Sequence, residues 1–172
     1  GELGARVEEV SLPHIAEAPA AVTAIMLPEA LAYHQKWVAE RPDDYGDDVR
    51  YRLEMGALYS AVTHVQAQRF REMIVQAWRR DVFSKVDILV TPTTMVPAPP
   101  ILEGGLDATF ALIRLTNPLN LLGVPAVSVP CGFTKAGLPI GFQIAGRWFE
   151  EGTVLRAAHV YEQATDWHKR RP

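Results

Sequence analysis

The 172-residue sequence predicts an α/β protein: a mixed β-sheet with flanking helices. Three observations carry this expectation. Apolar residues in the first half recur at steps of three and four, the stripe of core-facing helices. Asp87-Ile88-Leu89-Val90-Thr91 is an apolar run of strand length stopped by Pro92. Residues 126–133 and 140–146 are two further strand-like runs around a glycine-containing loop, which reads as an antiparallel hairpin.

Taken in order, residues 7–12 supply Val7, Val10 and Leu12 for a short strand that Pro13 ends. Glu2-Leu3-Gly4 before it resembles the last turn of a helix with glycine as its cap, so the chain is expected to begin inside a longer fold. Residues 15–39 are alanine-rich and helical; Pro28 is expected to start a helix through Leu31, Ala32 and Trp37, because proline suits a first turn. A polar turn at residues 41–48 follows, in which Asp47 or Asp48 can cap the next helix. That helix is expected to run from 49 to 85. Its stripe comprises Leu58, Val62, Val65, Phe70, Met73, Ile74, Ala77 and Trp78.

After the strand at 87–91, Pro97, Pro99, Pro100, Gly104 and Gly105 impose an irregular loop, and loops of that length are usually functional. Residues 108–115 form a short helix. The hairpin comes next, its glycines at 132, 141 and 146 suggesting a bulge or close backbone approach. A last helix carries Val154, Ala158 and Tyr161 on one face, and the tail Asp166-Trp167-His168-Lys169-Arg170-Arg171 is charged.

Composition narrows the function. Lys and Arg total 17 against 20 Asp and Glu, so a net charge of −3 offers no electrostatic case for nucleic acid or anionic membrane. No apolar run is long enough to span a bilayer. A single cysteine excludes an internal disulfide framework and fits a reducing compartment, with the cytoplasm as the expected location. The five histidines lack ligand spacing and read as surface or capping residues, so no metal and no cofactor are expected. Cys131 reads as a small buried side chain, and Ser128 lacks the Gly-x-Ser-x-Gly turn of a serine hydrolase. No phosphate-binding glycine loop occurs. The serines are only Ser11, Ser60, Ser84 and Ser128, the lysines only Lys36, Lys85, Lys135 and Lys169, all scattered. From the residues alone no complete active site is visible.

Several ordered motifs then carry a resemblance. Asp87-Ile88-Leu89-Val90-Thr91-Pro92-Thr93 is followed by Ala98-Pro99 and by Asn120-Leu121-Leu122-Gly123-Val124-Pro125-Ala126-Val127-Ser128-Val129-Pro130-Cys131-Gly132. Gly137-Leu138-Pro139-Ile140-Gly141-Phe142-Gln143-Ile144-Ala145-Gly146 and the ending from Val154 to Thr165 complete the set. In this order they resemble the C-terminal part of the amidase signature family, clearly from Asp87 onward and more loosely before.

The resemblance implies an amide hydrolase whose Ser–Ser–Lys triad lies in a Gly/Ser-rich stretch upstream. There a desolvated lysine draws a proton through a bridging serine, and backbone N–H groups stabilise the oxyanion. None of the four serines matches that motif, so no catalytic residue is carried over. The 172 residues are expected to form the C-terminal portion of an amidase signature domain, partnered by the N-terminal part of the same protein. Thr93, Thr94 and Met95 would approach the substrate pocket. Asn120 opens the loop at the Gly-Pro turn; it reads first as a turn or helix-end residue, with a pocket contact as the alternative. Arg52, beside Tyr51 and Gly56, would face the acyl side of the cleft or serve as a helix-surface arginine.

Two branches of the family differ at one position. The A subunit of tRNA-dependent amidotransferases shows an aspartate three residues before the threonine of Thr-x-Pro-x-Asn. Here, before Thr116, that position is Ile113, which cannot pair with the ammonium of glutamine. An amidase acting on a small-molecule carboxamide with an uncharged acyl group is the leading expectation. The alternatives are a non-catalytic structural or binding module and the amidotransferase component. Strands cut from a larger sheet would expose apolar edges, which allows a homo-oligomer as well.

Overall fold

The computed structural model describes residues 4–101 and 105–170. The chain divides into two compact units, residues 14–76 and the remainder.

The first unit is helical. Helix α1 (Ala18–Glu40) buries Ala18, Ala21, Val22, Ala24 and Ile25, its alanines small enough for close helix packing. Pro28 lies inside α1 and does not start a helix as expected. A proline there has no N–H for the Ala24 carbonyl. The Nδ1–H of His64 donates to that carbonyl instead, at 3.4 Å, so a side chain from α3 (Ala61–Asp81) fills the gap.

The expected helix over 49–85 is two helices. Helix α2 (Asp47–Met55) starts with Asp47 and Asp48 in its first turn, where their charge meets the dipole's positive end. A short 3₁₀ turn, Gly56–Leu58, breaks the run. Gly56 is buried against α1 so closely that a Cβ would strike the Leu27 carbonyl, and only glycine fits there. Ser60 then accepts the Thr63 N–H at 3.0 Å and caps the start of α3. Along α3, Ala67, Ile74, Ala77 and Trp78 are buried, but Val62, Val65 and Met73 are exposed, as is Leu58 in the turn before the helix. The apolar stripe read from the sequence therefore combines a buried face with an exposed one.

The second unit contains the sheet. Among the described residues the strands form one antiparallel sheet of three, ordered β1 (Ile88–Pro92), β3 (Pro139–Gly146), β2 (Ala126–Phe133). Residues 7–12 do not form the expected strand. Of the helix end expected at residues 2–4, only Gly4 is among the described residues, and Arg171 also lies outside them. Trp78, at the end of α3 and fully buried, donates its indole N–H to the Pro13 carbonyl at 2.9 Å.

Between β1 and β2 run α4 (Leu106–Ile113) and α5 (Asn117–Leu122). Helix α5 has proline in its first turn and Gly123 at φ 68° just past its end, the usual proline-in, glycine-out signature. It buries Pro118, Leu119, Leu121 and Leu122. The Trp148 indole donates to the Leu122 carbonyl at 2.8 Å and pins its end.

Alternation gives the sheet two distinct faces. One carries Val129 and Ile144 against Val154 and Ala158 of α6 (Glu151–Ala164), a dry core with Phe142 and Tyr161 at its margin. The other carries the register row Thr91, Gln143, Ser128. The expected bulge is present, a register shift between Pro130 and Gly132.

Candidate functional site

The polar face of the sheet, at the exit of β1, brings Thr93 together with Ser128, and Thr94 and Met95 follow Thr93 in the chain. Thr93 follows β1 directly. Its N–H donates to the Gly141 carbonyl at 3.1 Å, which continues the ladder past Pro92. Its hydroxyl lies 2.6 Å from that of Ser128, so the side chains of the two outer strands meet above the central one. Gly141 makes this possible. A Cβ there would stand 2.9 Å from Ser128 Oγ and 3.2 Å from Thr93 Oγ1, inside normal contact.

Thr94 donates its hydroxyl to the Val96 carbonyl at 2.7 Å, a local bond that shapes the loop. Met95 donates its N–H to the Ala111 carbonyl on α4 at 3.3 Å and leaves its side chain about half exposed. Ile113, partly buried, ends α4; its carbonyl accepts both the N–H and the hydroxyl of Thr116. Asn120 lies in the last turn of α5, where its carbonyl accepts the Gly123 N–H at 3.2 Å, in keeping with its reading as a helix-end residue. It is the exposed residue between buried Leu119 and buried Leu121, so its side chain is available to a ligand or to water. Arg52 is exposed in the last turn of α2, in the helical unit.

One central residue escaped the sequence reading. Gln143 is 4% exposed, and its amide nitrogen donates to Leu115 O at 2.8 Å, Thr91 Oγ1 at 2.9 Å and, more weakly, Pro92 O at 3.4 Å. It joins the end of β1 to the link between α4 and α5. The signal was available: a glutamine inside an otherwise apolar strand must find partners when buried. Ser128, which lacks the turn of a serine nucleophile, is half of a hydroxyl pair.

The chemistry of this cluster is that of binding. Hydroxyls, a carboxamide and backbone groups can orient a neutral polar ligand, but none ionises near neutral pH. Two titratable groups raised by burial lie elsewhere in the same unit. Burial pushes the Cys131 thiol up. Burial also pushes the Tyr161 phenol up, with Cys131 adding to the effect and a hydrogen bond from Thr165 opposing it. A thiol held protonated is a poor nucleophile, which agrees with reading Cys131 as a structural side chain.

Comparison with known proteins gives this cluster its setting. The family model described as Amidase matches residues 1–155, and the chain belongs to that family. An amidase from Pseudomonas putida is 39% identical over 179 residues, covering 99% of this chain and 38% of that protein. The A subunit of glutamyl-tRNA(Gln) amidotransferase from Bacillus velezensis is 39% identical over 197 residues, covering 99% of this chain and 40% of that protein. A crystal structure of an amidase superposes with a TM-score of 0.84 at 30% identity, covering 95% of this chain and 38% of that one. The chain thus spans about two fifths of the length of these relatives. The expected family and the mixed α/β fold are both borne out.

Proposed function

We propose that these 172 residues are the C-terminal portion of a carboxamide hydrolase that converts an amide to a carboxylate and ammonia in the cytoplasm. In this reading the chain supplies scaffold and the acyl-side wall of the pocket. Thr93, Thr94, Met95, Ile113 and Asn120 line that wall, Arg52 on α2 is a further acyl-side residue, and the nucleophile and base lie outside these residues. The observation that carries the proposal is the character of the polar cluster, which can orient a neutral ligand and cannot move a proton. The serines support it: Ser60 bonds Thr63, Ser84 donates to the Arg80 carbonyl, and Ser128 pairs with Thr93. Lys169 is engaged with Asp166 at 2.7 Å. A Ser–Ser–Lys relay needs a desolvated lysine against a serine.

Ile113 favours an uncharged acyl group, because an aliphatic wall offers nothing to an ammonium. A second reading, the A subunit of an amidotransferase, is favoured by the 39% identity to the Bacillus protein. The test is to assay the longer protein containing this sequence on aliphatic and aromatic carboxamides and on glutamine. Preference for neutral acyl groups supports the amidase, and preference for glutamine replaces it with the second reading. The 172-residue chain alone is expected to turn over none of these substrates. Serine-dependent hydrolysis by it would overturn the assignment of the chemistry to other residues.

A further inference from the structure

We infer that Gln143 is a positioning residue that sets the gap between the two pocket-lining segments and thereby tunes which acyl groups fit. The inference rests on the carboxamide-hydrolase reading above. Its basis is the position of Gln143 at the centre of the polar row. Of the side chains in that row, it alone reaches both segments. Toward β1 it donates to Thr91 Oγ1 and Pro92 O, immediately before Thr93, Thr94 and Met95. In the other direction it donates to Leu115 O, between Ile113 and Asn120.

An amide nitrogen has two protons. One is committed to Leu115 O at 2.8 Å, and the other is shared between Thr91 Oγ1 at 2.9 Å and Pro92 O at 3.4 Å. With 4% exposure, neither segment can exchange this bond for water without opening the cluster. Among the described residues a second hydrogen bond ties the β1 exit to the helices and is longer: Met95 N–H to Ala111 O at 3.3 Å. Losing the Gln143 amide therefore removes the shorter of these ties, while the sheet keeps its ladder and its packing on α6.

The variant Gln143→Met keeps shape and volume and removes both donors. In the longer enzyme it is expected to raise KM for short-acyl amides about tenfold, the factor one lost buried hydrogen bond transmits, with kcat within about twofold. For long-acyl amides KM is expected to change little or fall, since the wall moves outward. A side chain that only stabilised the fold would move all substrates together. Thr91→Val removes one acceptor of the same clasp and is expected to shift KM in the same direction by less.

Hydrogen exchange in the 172-residue chain supplies the independent reading. The Met95 amide should lose protection about tenfold in Gln143→Met while the central-strand amides of β3 keep theirs. If the unmutated longer protein hydrolyses no carboxamide, the functional reading fails and the exchange result alone decides on Gln143. Unchanged Met95 protection, or an equal KM change across all acyl lengths, overturns the inference. If Gln143→Met does not fold, Thr91→Val decides by the same two measurements.

Discussion

Cys131 and Tyr161 give the sheet–helix core a defined response to alkali. Cys131 sits at the β2 bulge and Tyr161 on α6, stacked edge-on against Phe142 with centroids 4.7 Å apart. Burial raises both groups above their ordinary values, so the folded state prefers each in its protonated form. The sign follows from proton counting. Above the ordinary thiol range, about pH 9, the unfolded chain has released protons that the folded chain still holds, and stability declines as pH rises further. Thermal melts between pH 7 and 11 should show this decline, and Cys131→Ala with Tyr161→Phe should flatten it. Iodoacetamide should label Cys131 far more slowly in the folded chain than in urea. Two glycines give a contrast at the same scale. At Gly146 a Cβ would stand 2.5 Å from Val154 Cγ2 in the buried core, whereas at Gly132 nothing lies within 4 Å. Gly146→Ala should cost about 1–3 kcal/mol in urea unfolding, as overpacking does, and Gly132→Ala should be near neutral.

At the scale of elements, α1 offers the clearest test of how a local defect is repaired. Pro28 leaves the Ala24 carbonyl without its helical donor, and His64 supplies one from α3. His64→Ala should then cost about 1–2 kcal/mol, and clearly less in a Pro28→Ala background where the helix donor returns. Equal costs in both backgrounds would separate the two residues. This repair was invisible in the sequence because proline at a first turn and proline within a helix look alike until a distant partner is known. The same limit explains the single helix expected over 49–85. The break depends on Gly56 meeting the Leu27 carbonyl, a contact between residues far apart in sequence. Residues 7–12 had strand composition, but a strand exists only with a neighbour. The hairpin, β1 and α6 were legible because their alternation or spacing matches the face they bury. Of the candidate site, the position of Thr93 through Met95 just after β1 was legible, while their approach to a pocket is what the family resemblance implies. Gln143 was not legible, because its role lies in three acceptors on two other segments.

For the whole molecule, the question is what these 172 residues can bury without the rest of the family fold, since the relatives are more than twice as long. Among the described residues the sheet has one central strand and two edges, β1 and β2. Val90, on β1, is 53% exposed. Phe149 is 90% exposed at φ 64°, a conformation that bulky side chains adopt only when their surroundings require it. In the helical unit, Leu58 and Val62 are 74% and 66% exposed. Unpaired strand edges and exposed apolar side chains promote association, and a net charge of −3 gives little repulsion against it. The 172-residue chain should therefore sediment as a concentration-dependent mixture between about 1 and 100 μM, the range where weak edge-to-edge contacts populate, and should bind a hydrophobic dye. Phe149→Ser and Val62→Ser should each reduce dye binding without lowering the melting temperature, because neither side chain contributes much burial to its own unit. A clean monomer across that range, with no dye bound, would mean that these surfaces need no cover. It would then count against the proposal that the chain is the C-terminal portion of a larger amidase fold.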